Sequence, residues 1–157
     1  MTVRLSEEQR RIGNAVRELA DARIAPRAAD IDASAEFPWD VAELLAAHDV
    51  LALPYPTPYG GLGADLVTIA LAIEQIARVC ATSSLILAVQ ELGSLPLLLA
   101  GSDGQKARWF PELAAGRALA AVVGADELSP AYVVPTVFNA GVVPAVAGAV
   151  EQVASRS

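Results

Sequence analysis

Apolar residues in the first part of the chain recur every three or four positions, the spacing that gathers them on one face of an α-helix. Ile12, Val16, Leu19 and Ile24 form the first such stripe, while Arg10, Arg11, Arg17, Glu18 and Asp21 face elsewhere. Ahead of it, Ser6-Glu-Glu-Gln9 fits a capping box, in which the Ser6 hydroxyl accepts from the Gln9 amide and the Gln9 side chain reaches back. These features predict a surface helix that starts at Ser6 and ends before Pro26. A second helix is predicted from near Pro38, with Val41, Leu44, Leu45 and Leu51 on its buried side. Pro54, Pro56 and Pro58 then enforce an extended loop, because each fixes its own φ and restricts the residue before it. Gly60, Gly61 and Gly63 follow and permit backbone turns closed to other residues.

The third predicted helix runs from about Asp65 to Cys80. Leu66, Ile69, Ile73, Ile76 and Cys80 make its stripe, and Glu74 with Arg78 is placed as an i,i+4 pair on the other side. Ser84–Ala100 is apolar nearly all round, interrupted by Gln90, Glu91 and Ser94, which suits a helix in the middle of a bundle. Pro96 is expected to bend it. A fifth helix starts at Ser102, with Gln105 completing a second capping box, Pro111 kinking it and Gly116 stopping it. After Gly116 the periodicity gives way to Ala, Val, Pro and Gly, with a short final helix expected after Pro144 from Val146, Ala149, Val150 and Val153. The pattern predicts an all-α fold, a bundle of about five helices with an irregular C-terminal tail.

Composition narrows the function classes. The 157 residues support one domain. With 54% apolar but only 5% aromatic residues, its core must be built from Leu, Ile, Val and Ala. A net charge of −7 argues against nucleic acid, which needs a cationic surface. One cysteine cannot make an internal disulfide, and MTVRLSEEQRR carries no apolar signal core, so a cytoplasmic location is expected. Leu128–Val150 has no charged residue and is long enough to cross a bilayer. Pro130, Pro135, Pro144, Gly141, Gly148 and Asn139 argue against a span there and for a protein-contacting or disordered tail.

Candidate chemistry is sparse. The Pro58–Gly63 segment is glycine-rich but lacks the Gly-Lys-Ser/Thr of a phosphate loop, and reads as a turn placing two helices. His48 is the one histidine, so no Ser-His-Asp or Cys-His combination can be assembled with a second one; it reads as a residue at the end of the second helix. Cys80 lies on an apolar stripe and reads as an inert buried thiol. One His and one Cys do not make a standard zinc site, so no metal is expected. Glu91 has two readings. An unpaired carboxylate in an apolar helix would titrate upward and could serve as a general base; alternatively Glu91 and Gln90 sit on a wet rim of the bundle.

Five segments occur in an order that resembles one family. They are LSEEQRRIGNAVRELADARIAPRA, FPWD, the PYGGLG loop, AIEQIARV and GSDGQKARWFPELAAG, together spanning roughly Leu5–Leu119. This arrangement resembles the amino-terminal helical domain of acyl-CoA dehydrogenases, which implies domains at 1–119 (helical) and 120–157 (a divergent Ala/Val/Pro/Gly-rich tail). In that family an acyl-CoA thioester loses its α-proton to a glutamate while the β-carbon passes hydride to FAD, as in fatty acid metabolism. The resemblance carries no catalytic residue onto this sequence. Where the family reads Leu-Thr-Glu-Pro, this chain has Gly124-Ala125-Asp126-Glu127, and the implied flavin contacts fall at Val123, Ala125 and Asp126. The expectation is an acyl-CoA dehydrogenase-like protein, truncated, lacking most of the flavin site and the catalytic base. The alternative is a non-catalytic partner subunit or helical interaction module that completes an acyl-CoA dehydrogenase assembly.

Overall fold

The computed structural model describes residues 4–118. Among them the helical segments are α1 (Glu7–Leu19), α2 (Ala28–Ser34), α3 (Trp39–Ala47), α4 (Leu66–Ala77), α5 (Ala81–Ala100) and α6 (Asp103–Ala114), with no strand. The chain stays helical between α1 and α2, so the six segments make five rods, in accord with the predicted all-α bundle.

The junction between α1 and α2 departs from expectation. Pro26 was to end the first helix, yet the chain passes through it by way of a π turn, Ala20–Ile24, and a 3₁₀ turn, Ala25–Arg27. The wide turn closes on Ala25 N–H donating to the Ala20 carbonyl. Proline has no amide to give and its ring crowds the carbonyl four residues back, so a locally altered turn lets the helix continue. Arg27 then pairs with Asp40, tying the start of α2 to α3.

Both predicted capping boxes form. Gln9 N–H donates to Ser6 Oγ at 3.1 Å and Ser6 N–H to Gln9 Oε1 at 2.8 Å; at α6 the same pair of bonds joins Ser102 and Gln105 at 3.3 and 2.9 Å. Asp65 caps α4 by accepting from Thr68 N–H at 2.8 Å, and Gln9 Nε2 also donates to it at 2.9 Å, so two helix starts brace each other. Gly116 stops α6 as expected. It sits at φ +67°, while Arg117 N–H reaches back to the Glu112 carbonyl and Gly116 N–H to that of Leu113.

The main core joins α1, α3, α4 and α5 around Ile24, Leu45, Leu51, Ile76 and Leu87. A second cluster joins the loop before α4 to α6 through Tyr55, Phe110, Leu113 and Ala114, with Tyr55 and Phe110 ring centres 5.3 Å apart. Two predicted details are corrected. Arg78 pairs with Asp21 of the π turn rather than with Glu74, because α4 packs along the first rod and presents Arg78 to it. Leu66 is 70% exposed, since the first residue of α4 projects beyond the helices that cover Ile69 and Ile76.

Helix α5 was expected in the middle of the bundle. It is long and apolar enough to cross a membrane, and its Ser83, Leu87, Gln90 and Ser94 side packs into the core. Its other side is open, with Leu85, Leu92 and Leu99 exposed by 58%, 65% and 75%. The helix runs through Pro96 to Ala100.

The Pro54–Ala64 loop folds back on the segment before it. Leu62 N–H donates to the Ala52 carbonyl at 2.9 Å, Gly63 to Tyr55 at 2.8 Å and Ala64 to Leu53 at 2.9 Å. A Cβ on Gly61 would overlap the Tyr55 backbone carbonyl, whereas one on Gly104 in α6 would meet nothing. Gly61→Ala is therefore expected to destabilise the protein by at least ~2 kcal/mol in urea unfolding. Gly104→Ala is expected to stabilise it by up to about 1 kcal/mol.

Candidate functional site

Gln90 corrects the expectation of a wet rim. It is 1% exposed, and its Nε2 donates to the carbonyls of Leu113 and Ala118, both at 3.1 Å. A primary amide carries two donors, here one for the Leu113 carbonyl in the last turn of α6 and one for the Ala118 carbonyl beyond it. Glu91, one residue on, is rotated away from this contact and is half-buried.

Around Gln90 the polar groups interlock. Tyr55 Oη donates to the Gln90 carbonyl at 3.3 Å, and Ser94 Oγ donates to the carbonyls of Gln90 at 2.8 Å and Glu91 at 3.0 Å. Burial pushes the Tyr55 phenol up to about 12, and the Glu91 charge adds to the rise, while hydrogen bonds with Ser94 and Gln90 oppose it. Tyr55 is thus a neutral donor held against α5.

Beside these groups opens a pocket of about 460 Å³. Pro54, Tyr55 and Ala64 of the loop and Leu66 and Ile69 of α4 form one wall; Glu91, Ser94, Leu95 and Leu98 of α5 form the other. Its size lies within the range of small-molecule sites, as does its mix of apolar walls and a few polar groups. It does not suit FAD: a carboxylate and hydroxyl oxygens would repel a pyrophosphate, which needs amide or cationic donors.

His48 and Cys80 lie apart from this pocket. His48 is exposed at the C-cap of α3. Cys80 is buried at the start of α5, where its sulfur accepts from Ser83 Oγ at 3.1 Å. Among the described residues no group of three His, Cys, Asp or Glu could hold a metal. Val123, Ala125 and Asp126, like Leu128–Val150, lie outside the described residues. Sequence reasoning missed Tyr55 as a site residue, since an aromatic between two prolines carries no periodic signal. It also missed the seven-residue spacing of Leu85, Leu92 and Leu99, which does mark a single helix face.

The Tyr55 environment has a measurable consequence. A phenol favoured in its neutral form by the fold contributes stability that is present below pH 10.0 and is lost as pH rises toward about 12. Phenolate absorbance should show a late component near pH 12 in the native protein, missing from Tyr55→Phe. Between pH 10 and 12 the Tyr55→Phe protein should lose less stability than the parent.

Comparison with known proteins accounts for the architecture. Residues 6–117 match the family model "Acyl-CoA dehydrogenase, N-terminal domain". A probable acyl-CoA dehydrogenase of Mycobacterium leprae is 44% identical over 117 residues, covering 74% of this chain and 30% of that protein. The cyclohex-1-ene-1-carbonyl-CoA dehydrogenase of Syntrophus aciditrophicus is 37% identical over 123 residues, covering 78% and 30%. Among solved structures, an acyl-CoA dehydrogenase complexed with FAD from Bacillus anthracis superposes with a TM-score of 0.67 at 28% identity, covering 74% of this chain and 20% of that one. The electron transferring flavoprotein study of Acidaminococcus fermentans supplies a match with a TM-score of 0.70 at 22% identity, covering 76% and 32%, which shows the fold alone. The chain spans about 30% of the length of the curated relatives it matches. By its match over residues 6–117, the chain belongs to the acyl-CoA dehydrogenase N-terminal domain family.

Proposed function

We propose that this chain supplies an apolar wall for an acyl-CoA thioester in a FAD-dependent dehydrogenase assembly of fatty acid metabolism in the cytoplasm. The observation that carries the reading is the open side of α5, where Leu85, Leu92 and Leu99 leave a line of exposed leucines on a helix whose opposite side is fixed in the core. Family membership supports the acyl-CoA assignment. Exposed apolar surface of this kind marks a contact surface rather than a resting state of a helix. The chain's own part is to exclude water from an alkyl chain and to offer surface to the rest of the assembly. FAD, when bound in such an assembly, supplies the hydride acceptor. Its contacts on this chain are proposed at Val123, Ala125 and Asp126.

The same surface supports a second reading, a non-catalytic subunit that docks on an acyl-CoA dehydrogenase and completes its acyl site. Both readings place an alkyl chain against α5 and share one test. Octanoyl-CoA titrated into isotope-labelled protein is expected to shift the methyl resonances of Leu85, Leu92 and Leu99, with free CoA shifting them far less. Leu92→Glu, at an exposed position that should tolerate the change, is expected to weaken octanoyl-CoA binding at least tenfold. Equal shifts with free CoA, or none with octanoyl-CoA, would contradict the proposal.

A further inference from the structure

The pocket between the Pro54–Ala64 loop, α4 and α5 has a polar end of unusual sign. Tyr55 Oη donates its hydrogen to the Gln90 carbonyl, and Ser94 Oγ donates its own to the Gln90 or Glu91 carbonyl. Each hydroxyl has one hydrogen, and both are committed to these carbonyls or to the Tyr55–Ser94 contact, so neither offers a donor to a guest. Burial keeps Tyr55 neutral, so it adds no charge of its own. The third polar group is the Glu91 carboxylate, half-buried on the same wall, which makes no hydrogen bond or ion pair with any described residue. Pro54, Ala64, Leu66, Ile69, Leu95 and Leu98 supply the apolar remainder.

A site that presents acceptors, one negative charge and apolar walls selects a donor-rich cation on an apolar stem. A primary ammonium carries three donors and no acceptor, which complements this arrangement. We infer that this pocket is a binding site for a primary alkylammonium, its head group on the Glu91 carboxylate beside the Ser94 and Tyr55 hydroxyls and its stem along Leu95 and Leu98. Glu91, Leu95 and Leu98 follow a three-to-four spacing around α5, on a flank distinct from the Leu85, Leu92 and Leu99 line. The site is therefore separate from the surface assigned to the acyl chain, and its occupancy is read without flavin or turnover.

The test is calorimetric titration of the full 157-residue chain with n-hexylammonium, methylammonium, 1-hexanol and hexanoate. n-Hexylammonium is expected to bind at least tenfold more tightly than each of the others, shifting the backbone amides of Ser94, Leu95 and Leu98. Glu91→Gln should cost at least tenfold, and Leu98→Trp, which fills the pocket, should abolish binding. The exposed Glu43→Gln removes the same charge and should leave affinity unchanged, which separates the site from general attraction to a chain of net charge −7. Circular dichroism of each variant verifies the fold. Equal affinity for 1-hexanol, equal losses in Glu91→Gln and Glu43→Gln, or shifts confined to Leu85, Leu92 and Leu99 would overturn the inference.

Discussion

A helix that is apolar on every side has no preferred rotation from hydrophobic burial alone, and in this protein Gln90 supplies the missing constraint. Its amide reaches the carbonyls of Leu113, in the last turn of α6, and Ala118, beyond it, and its own carbonyl receives Tyr55 and Ser94. A buried amide left unpaired costs more than its paired form contributes, so rotations of α5 that break these contacts are penalised. Once Gln90 points inward, the positions of every other α5 side chain follow from 3.6 residues per turn. Leu87 enters the core, Glu91 reaches the pocket wall, and Leu85, Leu92 and Leu99 are left outside.

That single setting gives the domain its two useful surfaces. The leucine line offers a surface for an alkyl chain or for a neighbouring polypeptide, and burial of such side chains contributes about 1.5–3 kcal/mol each. The Glu91 flank instead concentrates acceptors beside apolar walls. The Tyr55 ring links both to the second core cluster, because it packs on Phe110 while its hydroxyl holds α5. Gly61 secures that link by letting the loop lie directly against the Tyr55 backbone.

Local signals were legible in the sequence wherever one residue type has one structural use. Ser6 with Gln9, Ser102 with Gln105, Asp65 and Gly116 each announced a helix boundary that the structure shows. Pro26 misled, since the loss of one amide can be absorbed by a π turn as well as by a helix end. The partner of Arg78 was misassigned because Glu74 is near in sequence, while Asp21 is near only once α4 lies on the first rod. Gln90 and Glu91 were read together as a rim, yet adjacent helical residues point about 100° apart and meet different surroundings. Which of them turns inward depends on where α6 ends, and that is a tertiary fact. The family was legible from the order of five short segments, and residues 6–117 match its model.

Hydrogen–deuterium exchange on Gln90→Leu tests the central claim, that this one amide sets α5 against α6. Losing a buried donor pair is worth about 1–3 kcal/mol, equivalent to roughly five- to 150-fold in local protection. The expected result is a loss of that size across α6 and its junction with α5, with α1 and α4 protected as before. Unchanged protection of α6, or an equal loss through every helix, would show that packing alone orients α5 and that Gln90 is a passenger in the core.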